Sequence, residues 1–270
     1  MPNAEESPFL TVKDVWKYYP ATETSKFGKR KRVAVLKGLS FSLPKGRISG
    51  LLGESGSGKS TLSRLLLGLE KPESGEILLE GVPVEKWRQA NPGKMSVVFQ
   101  NYAASINPSF TIGEAIAEGF NADHARRPDR EAILNLMQRT GLTPDLFNSL
   151  PCKLSGGQIQ RVCIARAIAA NPDFVVFDEA ISALDAPVQV QIANLLKELH
   201  FGFTALFITH DIQIAALICH DMIVMHKGLI TDNFRIGEPQ EHASPYLAKL
   251  LDSTVVFHSG FLAHGADRRT

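Results

Sequence analysis

Cysteine is scarce in this chain, and its three occurrences exclude two common ways of stabilising a fold. Cys152, Cys163 and Cys219 are an odd number among 270 residues, and their spacing fits no metal-ligand motif. A disulfide framework and a structural zinc site are therefore excluded as the basis of the fold. We expect buried, reduced thiols, as in a protein of a reducing compartment.

Long apolar runs and an excess of charge of either sign are also missing. No apolar run approaches the roughly 18 residues that a membrane helix needs, and residues 1–9 are polar and acidic, unlike a signal peptide. The formal net charge is +1, which favours neither nucleic acid nor a membrane surface as a partner. If the protein works at a membrane, we expect it to dock there through another protein.

Short apolar runs recur along the chain, with helical patterns between them. They lie at Ile48–Leu52, Met95–Phe99, Phe174–Phe177, Ala205–Thr209 and Met222–Met225. Runs of this length predict buried parallel strands. Their alternation with helices predicts an α/β fold, in which helices cover the faces of a mostly parallel sheet.

Two regions depart from this alternation. Phe9–Tyr19 and Val33–Leu43 predict an N-terminal antiparallel β region around a loop over 21–32. The lysines and arginines of that loop indicate a solvated hairpin tip rather than a nucleic-acid patch. Residues 101–164 carry two amphipathic helical patterns, Ile112–Phe120 and Arg130–Thr140, which predict an inserted helical lobe.

The segment Gly53–Ser60, with the sequence GESGSGKS, fits the P-loop pattern and follows the first predicted parallel strand. Its glycines let the backbone curl, so that successive N–H groups point at phosphate oxygens. A helix predicted over Lys59–Leu69 aims the positive end of its dipole at the same place. In this pattern the lysine reaches the β- and γ-phosphates, and the Ser60 hydroxyl holds Mg²⁺. The nucleotide-binding residues predicted here are Gly53, Ser55, Gly56, Gly58, Lys59, Ser60 and Thr61.

Polar side chains follow three other predicted strands at their carboxyl ends, where ligands lie in open α/β sheets. Asp178 is predicted to bind Mg²⁺, and Glu179 to orient and activate the attacking water. His210 is predicted to contact the γ-phosphate, although a lone histidine is more often structural. Gln100 is predicted to contact both Mg²⁺ and the water, although the glutamine alone favours neither role.

The pentapeptide Leu154–Gln158, LSGGQ, lies between the P-loop and the paired acids. By composition it would occur by chance on the order of once in a few thousand such chains. The pentapeptide belongs to an ordered set of motifs, which also includes the P-loop, Gln100, Phe174–Glu179, Ser182–Asp185 and His210. This set, in this order, resembles that of the ATPase subunit of ABC transporters. The resemblance covers residues 9 to about 230.

The resemblance implies a P-loop NTPase (RecA-like) core with an N-terminal antiparallel β region and an inserted α-helical subdomain. We predict an ABC ATPase domain over 9–230, a helical subdomain over 101–164 and a short C-terminal extension over 231–270. The RecA-like core then comprises 9–100 and 165–230.

It also implies a head-to-tail dimer, in which each ATP lies between the P-loop of one subunit and the pentapeptide of the other. Ser155, Gly156 and Gly157 would then donate to the partner's γ-phosphate, and a helix from Gln158 to Ala170 would add its dipole. Asp185 belongs to the same shared site. Tyr19, with Tyr18 as its neighbour, aligns with the aromatic residue that stacks on adenine.

A narrower group is indicated by local stretches. Val98–Pro108 is similar to the nickel/oligopeptide importer group, and Gln160–Ala167 and Asp178–Ser182 look most like its nickel-import ATPase subunits. His242–Leu247 is similar to a remnant of the C-terminal extension of that group. Several departures from the group leave the cargo open, among them Ile159 in place of a usual basic residue and Asn101-Tyr102 in place of a usual Asp-Pro.

Membership of this group implies a peripheral protein on the cytoplasmic face of the inner or plasma membrane. It would use ATP and Mg²⁺, and would work with two transmembrane permease subunits and, indirectly, with an extracytoplasmic substrate-binding protein. The second ATPase would be a different chain, with a homodimer as the alternative, and no nucleic acid would take part. The cargo would be nickel, a nickel chelate, or a di- or oligopeptide.

Three other functions stay open at this point. The chain resembles a soluble ABC ATPase acting on DNA or ribosomes less well, because it has neither a long coiled-coil insertion nor a second ATPase domain. The importer-like stretch after Val98 disfavours an exporter subunit. Glu179 and His210 argue against an ATP-binding switch that does not turn over.

Overall fold

The computed structural model of the protein describes residues 8–24, 30–101, 103–120, 128–199, 202–238 and 243–252. In chain order the strands are β1 (Leu10–Thr24), β2 (Arg30–Leu43), β3 (Ile48–Leu52), β4 (Ser74–Leu79), β5 (Val82–Pro83), β6 (Met95–Phe99), β7 (Phe174–Asp178), β8 (Thr204–Thr209), β9 (Asp221–His226) and β10 (Leu229–Arg235). The α-helices are α1 (Lys59–Leu66), α2 (Val84–Ala90), α3 (Ile112–Phe120), α4 (Arg130–Arg139), α5 (Gly156–Ile168), α6 (Ala186–Leu199), α7 (Ile212–Ile218) and α8 (Pro245–Asp252).

A six-stranded sheet in the order β10-β9-β3-β8-β7-β6 forms the centre of the molecule. The strands from β9 to β6 are parallel, and only the edge strand β10 runs antiparallel. All five residues of β3 and all six of β8 are buried. The predicted α/β fold and its parallel strands are therefore confirmed, and burial on both faces explains why these strands are continuous apolar runs.

Two hydrophobic clusters lie on the two faces of this sheet. Leu51 belongs to the cluster that joins α1 to the N-terminal strands, whereas Leu52 belongs to the cluster that contains α5, α6 and α7. Adjacent residues of one strand point to opposite faces, so a single short strand contributes to both clusters. The central sheet is thus enclosed on both sides, and its carboxyl edge is left for the loops.

The four N-terminal strands form a separate antiparallel sheet in the order β2-β1-β4-β5. The predicted loop over 21–32 is wrong at both ends, because β1 continues to Thr24 and pairs there with Arg30 of β2. Lys26 and Lys29 lie outside the described residues.

The inserted region is helical where it is described. The predictions for α3 and α4 are confirmed to within one residue. Helix α5 crosses the predicted boundary at residues 164 and 165, so it belongs to both the lobe and the core. Gly119 of α3 lies against α5, where a Cβ atom would approach the Arg166 carbonyl oxygen to 2.1 Å.

Among the described helices, none is both long and apolar enough to cross a membrane.

Candidate functional site

The P-loop connects β3 to α1 at the carboxyl edge of the central sheet. Gly53 passes so close to β9 that a Cβ atom would lie 2.4 Å from the Met225 carbonyl oxygen, which accounts for glycine there. Gly58 precedes α1 with a φ of 111°, and no side chain caps the first turn. An uncapped helix N-terminus at the end of a glycine loop is a site suited to an anion.

Lys59 is buried at this helix start, with 4% of its side chain exposed. Its ammonium group donates to the carbonyl oxygens of Gly53 at 2.7 Å and Glu54 at 3.0 Å. The same nitrogen lies 3.6 Å from a Glu179 carboxylate oxygen. Ser55, Gly56 and Ser60 are exposed on the loop, whereas Thr61 is buried.

The register of the parallel strands brings the other predicted polar residues to this edge. Phe99 pairs with Asp178, which pairs with Ile208, so Gln100, Glu179 and His210 follow neighbouring strand ends. The Nδ1 atom of His210 lies 3.8 Å from a Glu179 carboxylate oxygen. The predicted lysine, glutamate and histidine thus form one cluster at this edge.

Asp178 is partly buried at the end of β7. Burial raises the pKa of its carboxyl group, and the charge of Glu179 raises it further, while Lys59 opposes both effects. A bound cation at this position would favour the ionised form and reverse the shift.

Glu179 has a positive φ of 49°. Its N–H donates to the Ile208 carbonyl oxygen at 3.0 Å, which fixes the residue against the next strand. A left-handed conformation is uncommon for glutamate and is often found at functional positions.

Ser182 connects Glu179 to Gln100 and was not among the predicted site residues. The Gln100 amide nitrogen donates to the Ser182 hydroxyl at 3.3 Å, and that hydroxyl donates to the Glu179 carbonyl oxygen at 2.9 Å. Its position three residues after the glutamate is the signal that sequence reasoning could have used. The strand end at Gln100 is thereby coupled to the strand end at Glu179.

Tyr19 is held against α1 by its hydroxyl group. That hydroxyl donates to Glu70 at 2.6 Å and accepts from Arg64 at 3.3 Å. The hydrogen bond from Tyr19 holds the pKa of Glu70 below its usual range. Tyr18 lies on the other face of the strand and stacks on Trp16.

The pentapeptide residues lie in a different place from the P-loop. Ser155–Gln158 line a groove of about 330 Å³ together with Asp185 and Val188. Ser155 begins α5 with a capping box: its hydroxyl accepts from the Gln158 N–H at 3.3 Å, and its N–H donates to the Gln158 side chain at 2.9 Å. No hydrogen bond or ion pair between described residues joins this groove to the P-loop.

Tyr246 is a second residue that sequence reasoning missed. Its hydroxyl lies on the P-loop, where it accepts a hydrogen bond from the Glu54 N–H at 3.0 Å. The residue lies in α8, which the sequence did not predict as a helix.

The sequence of the chain is similar to a known protein family and to several characterised relatives. A family model described as ABC transporter matches residues 36–182. The metal-staphylopine import system ATP-binding protein CntF of Staphylococcus aureus is 37% identical over 252 residues, which covers 92% of this chain and 100% of that protein. The nickel import ATP-binding protein NikE of Rhodospirillum rubrum is 39% identical over 251 residues, covering 88% of each chain. The oligopeptide transport ATP-binding protein AppF of Bacillus subtilis is 37% identical over 268 residues, covering 95% of this chain and 81% of that protein.

The fold of the chain is also similar to those of solved structures. A dimeric ATP-binding cassette in a post-hydrolysis state, bound to ADP and Pi, has a TM-score of 0.72 and 28% identity, covering 84% of this chain and 98% of that chain. A component of an ABC transporter complex from Clostridium perfringens has a TM-score of 0.71 and 28% identity, covering 84% of this chain and 88% of that one.

Proposed function

Because the chain belongs to the ABC transporter family and is one of its ATPases, we propose that it powers an importer of nickel, a nickel chelate, or di- or oligopeptides. The observation that carries the proposal is the cluster of Lys59, Glu179 and His210 at the carboxyl edge of the sheet. The printed names of its relatives, which are import proteins for a metal chelate, nickel and oligopeptides, support import over export.

The P-loop fits the phosphates of ATP. The uncapped first turn of α1 offers N–H donors to an anion, and Lys59 supplies the positive charge. We propose that its ammonium exchanges the carbonyl oxygens of Gly53 and Glu54 for phosphate oxygens when ATP binds. Tyr19, fixed by Glu70 and Arg64, would stack on adenine.

The acidic residues fit the remaining chemistry. Ser60, Gln100 and Asp178 would hold Mg²⁺, which supplies charge neutralisation of the phosphate oxygens. Glu179 would hold and deprotonate the attacking water, and its fixed backbone keeps the carboxylate between Lys59 and His210. His210 would donate to the γ-phosphate from its exposed position on the strand end.

The groove of Ser155–Gln158 and Asp185 is the part of the site that serves a second subunit. We propose that it closes over the ATP held by the partner's P-loop, so that activity belongs to a pair. The partner would be a second ABC ATPase chain different from this one. The pair would dock on two permease subunits at the cytoplasmic face of the membrane and respond through them to a substrate-binding protein.

The first test is Glu179→Gln. We expect this variant to bind ATP normally and to hydrolyse it about 10² to 10⁴ times more slowly, because a positioned base contributes that range. ATP titration of the purified chain measures binding, and steady-state ATP hydrolysis by the chain together with its second ATPase subunit measures turnover at the site of this P-loop. The matched control is Glu54→Gln, since Glu54 is an exposed glutamate of the P-loop. Hydrolysis by Glu179→Gln at the wild-type rate would show that the assigned base is wrong.

The cargo is tested with the assembled transporter. ATP hydrolysis in proteoliposomes, with the permeases and the binding protein present, is measured after loading the binding protein with nickel, a nickel chelate or a peptide. Stimulation by one of these ligands identifies the cargo class. Stimulation by none of them, in a transporter that hydrolyses ATP, would contradict the cargo proposal and leave the ATPase proposal intact.

A further inference from the structure

The C-terminal helix α8 contacts the loop that binds phosphate. Its Tyr246 hydroxyl accepts from the N–H of Glu54, the second residue of the P-loop, at 3.0 Å. The tyrosine ring also packs on His226 at the end of β9, with 4.1 Å between ring centroids. One side chain therefore touches both the loop and the strand that supports it.

The helix that carries Tyr246 is anchored independently of the loop. Both the N–H and the hydroxyl of Ser244 donate to the carboxylate of Asp232 in β10, at 2.7 and 2.6 Å. The Ser244 hydroxyl in turn accepts from the Leu247 N–H, and Leu247 is 1% exposed in the core. Because α8 is fixed on β10, it can hold the loop rather than follow it.

The loop is held at a second point close by. The Gly228 N–H, in the turn between β9 and β10, donates to the Ser57 carbonyl oxygen at 2.9 Å. Between the two points the chain makes a turn, closed by the Ser57 N–H on the Glu54 carbonyl oxygen at 3.2 Å. The outer turn of the P-loop, Glu54–Ser57, is thus fastened at its beginning by Tyr246 and at its end by Gly228.

We propose that Tyr246 is a positioning residue that keeps the P-loop in its nucleotide-binding shape before nucleotide arrives. A loop that is already ordered loses less conformational freedom on binding, so the ligand binds more tightly. The Glu54 N–H is satisfied by the tyrosine and is not available to phosphate, so Tyr246 acts through the loop and does not touch the nucleotide. This inference rests on the proposed function.

The test is Tyr246→Phe in the full chain, which removes the hydroxyl and keeps the ring on His226. We expect ADP to bind about fivefold more weakly, the factor that one net hydrogen bond of roughly 1 kcal/mol is worth. The KM for ATP should rise by about the same factor, while kcat stays unchanged. Calorimetric titration of the purified chain with ADP measures the affinity, and steady-state ATP hydrolysis by the chain together with its second ATPase subunit measures KM and kcat. The control is Lys249→Gln, an exposed position of the same helix, for which neither value should change.

Each other outcome overturns the inference. An unchanged affinity for ADP would show that the loop keeps its shape without the hydroxyl. A lower unfolding temperature with an unchanged KM would show that the contact only stabilises the fold. A lower kcat with an unchanged KM would place Tyr246 in the chemistry instead. If the wild-type chain itself failed to bind ADP, the proposed function would fail first, and this inference with it.

Discussion

Lys59 has a structural role in its own loop. Its buried ammonium donates to the carbonyl oxygens of Gly53 and Glu54, the first two residues of the P-loop. The residue that the motif assigns to phosphate therefore also closes the loop that carries it.

At this scale we predict that Lys59→Met lowers the stability of the nucleotide-free protein by about 1 kcal/mol, because two carbonyl groups lose their donor while the apolar stem is kept. Urea unfolding without nucleotide measures the change. The control is Ser60→Ala, at an exposed position of the same loop, which should stay within about 0.5 kcal/mol of wild type. Equal stability of the two variants would contradict the structural role of the lysine.

Among the elements, α3 and α5 begin in the same way. Ser155 and Gln158 form a capping box at α5, and Thr111 and Glu114 form the same arrangement at α3. A hydroxyl can accept a hydrogen bond from the backbone and still donate its own proton. The Ser155 hydroxyl can therefore cap its helix and, as proposed, donate a hydrogen bond to the ATP that the partner's P-loop holds.

The pair of capping boxes gives a matched prediction. Ser155→Ala and Thr111→Ala should each lower the free energy of unfolding by about 1 kcal/mol, the usual value of a helix cap. Only Ser155→Ala should also reduce the ATP-dependent association of subunits, because Thr111 does not line the groove of the pentapeptide. Denaturant unfolding and light scattering with ATP measure the two effects. An equal loss of association in both variants would contradict the separate role of the groove.

The elements also show what local sequence can predict. The strands β3, β7 and β8 were predictable because burial on both faces leaves a continuous apolar run. Strand β4 was not, because its first residues, Ser74, Gly75 and Glu76, are polar and exposed. Its pairing is decided by β1, where Lys13 lies opposite Glu76 and forms an ion pair at 2.9 Å.

On the scale of the whole molecule, the residues predicted for one ATP site lie in two separate places. The P-loop, Glu179 and His210 share the carboxyl edge of the sheet, whereas Ser155 and Asp185 share the groove of the pentapeptide. Motif spacing was enough to predict that the first set lies at one edge of the sheet. The contacts of Gln100 with Ser182 and of Glu54 with Tyr246 were not predictable, because they join elements that are remote in the chain.

Two inactive variants of this chain test the composition of the pair. Glu179→Gln has an intact pentapeptide, and Ser155→Arg has an intact P-loop. If the partner is a different chain, as proposed, mixing the two variants restores no ATP hydrolysis. Adding the cognate second subunit to either variant restores hydrolysis at only one of the two ATP sites of the pair. Steady-state hydrolysis of the mixtures measures this. Recovery of about a quarter of the wild-type rate in the mixture of the two variants would instead show a homodimer, the fraction expected from random pairing.

The sheet order has a consequence for how the protein is made. The P-loop strand β3 lies between β8 and β9, which begin at Thr204 and Asp221, and the contact from Tyr246 comes later still. Domains fold as units while the N-terminal part leaves the ribosome first, and such non-local pairings must wait for the distant strands. The nascent chain therefore exposes its glycine loop long before that loop has a supporting strand on either side. We therefore expect nucleotide binding to begin only after the C-terminal strands of the sheet have been made.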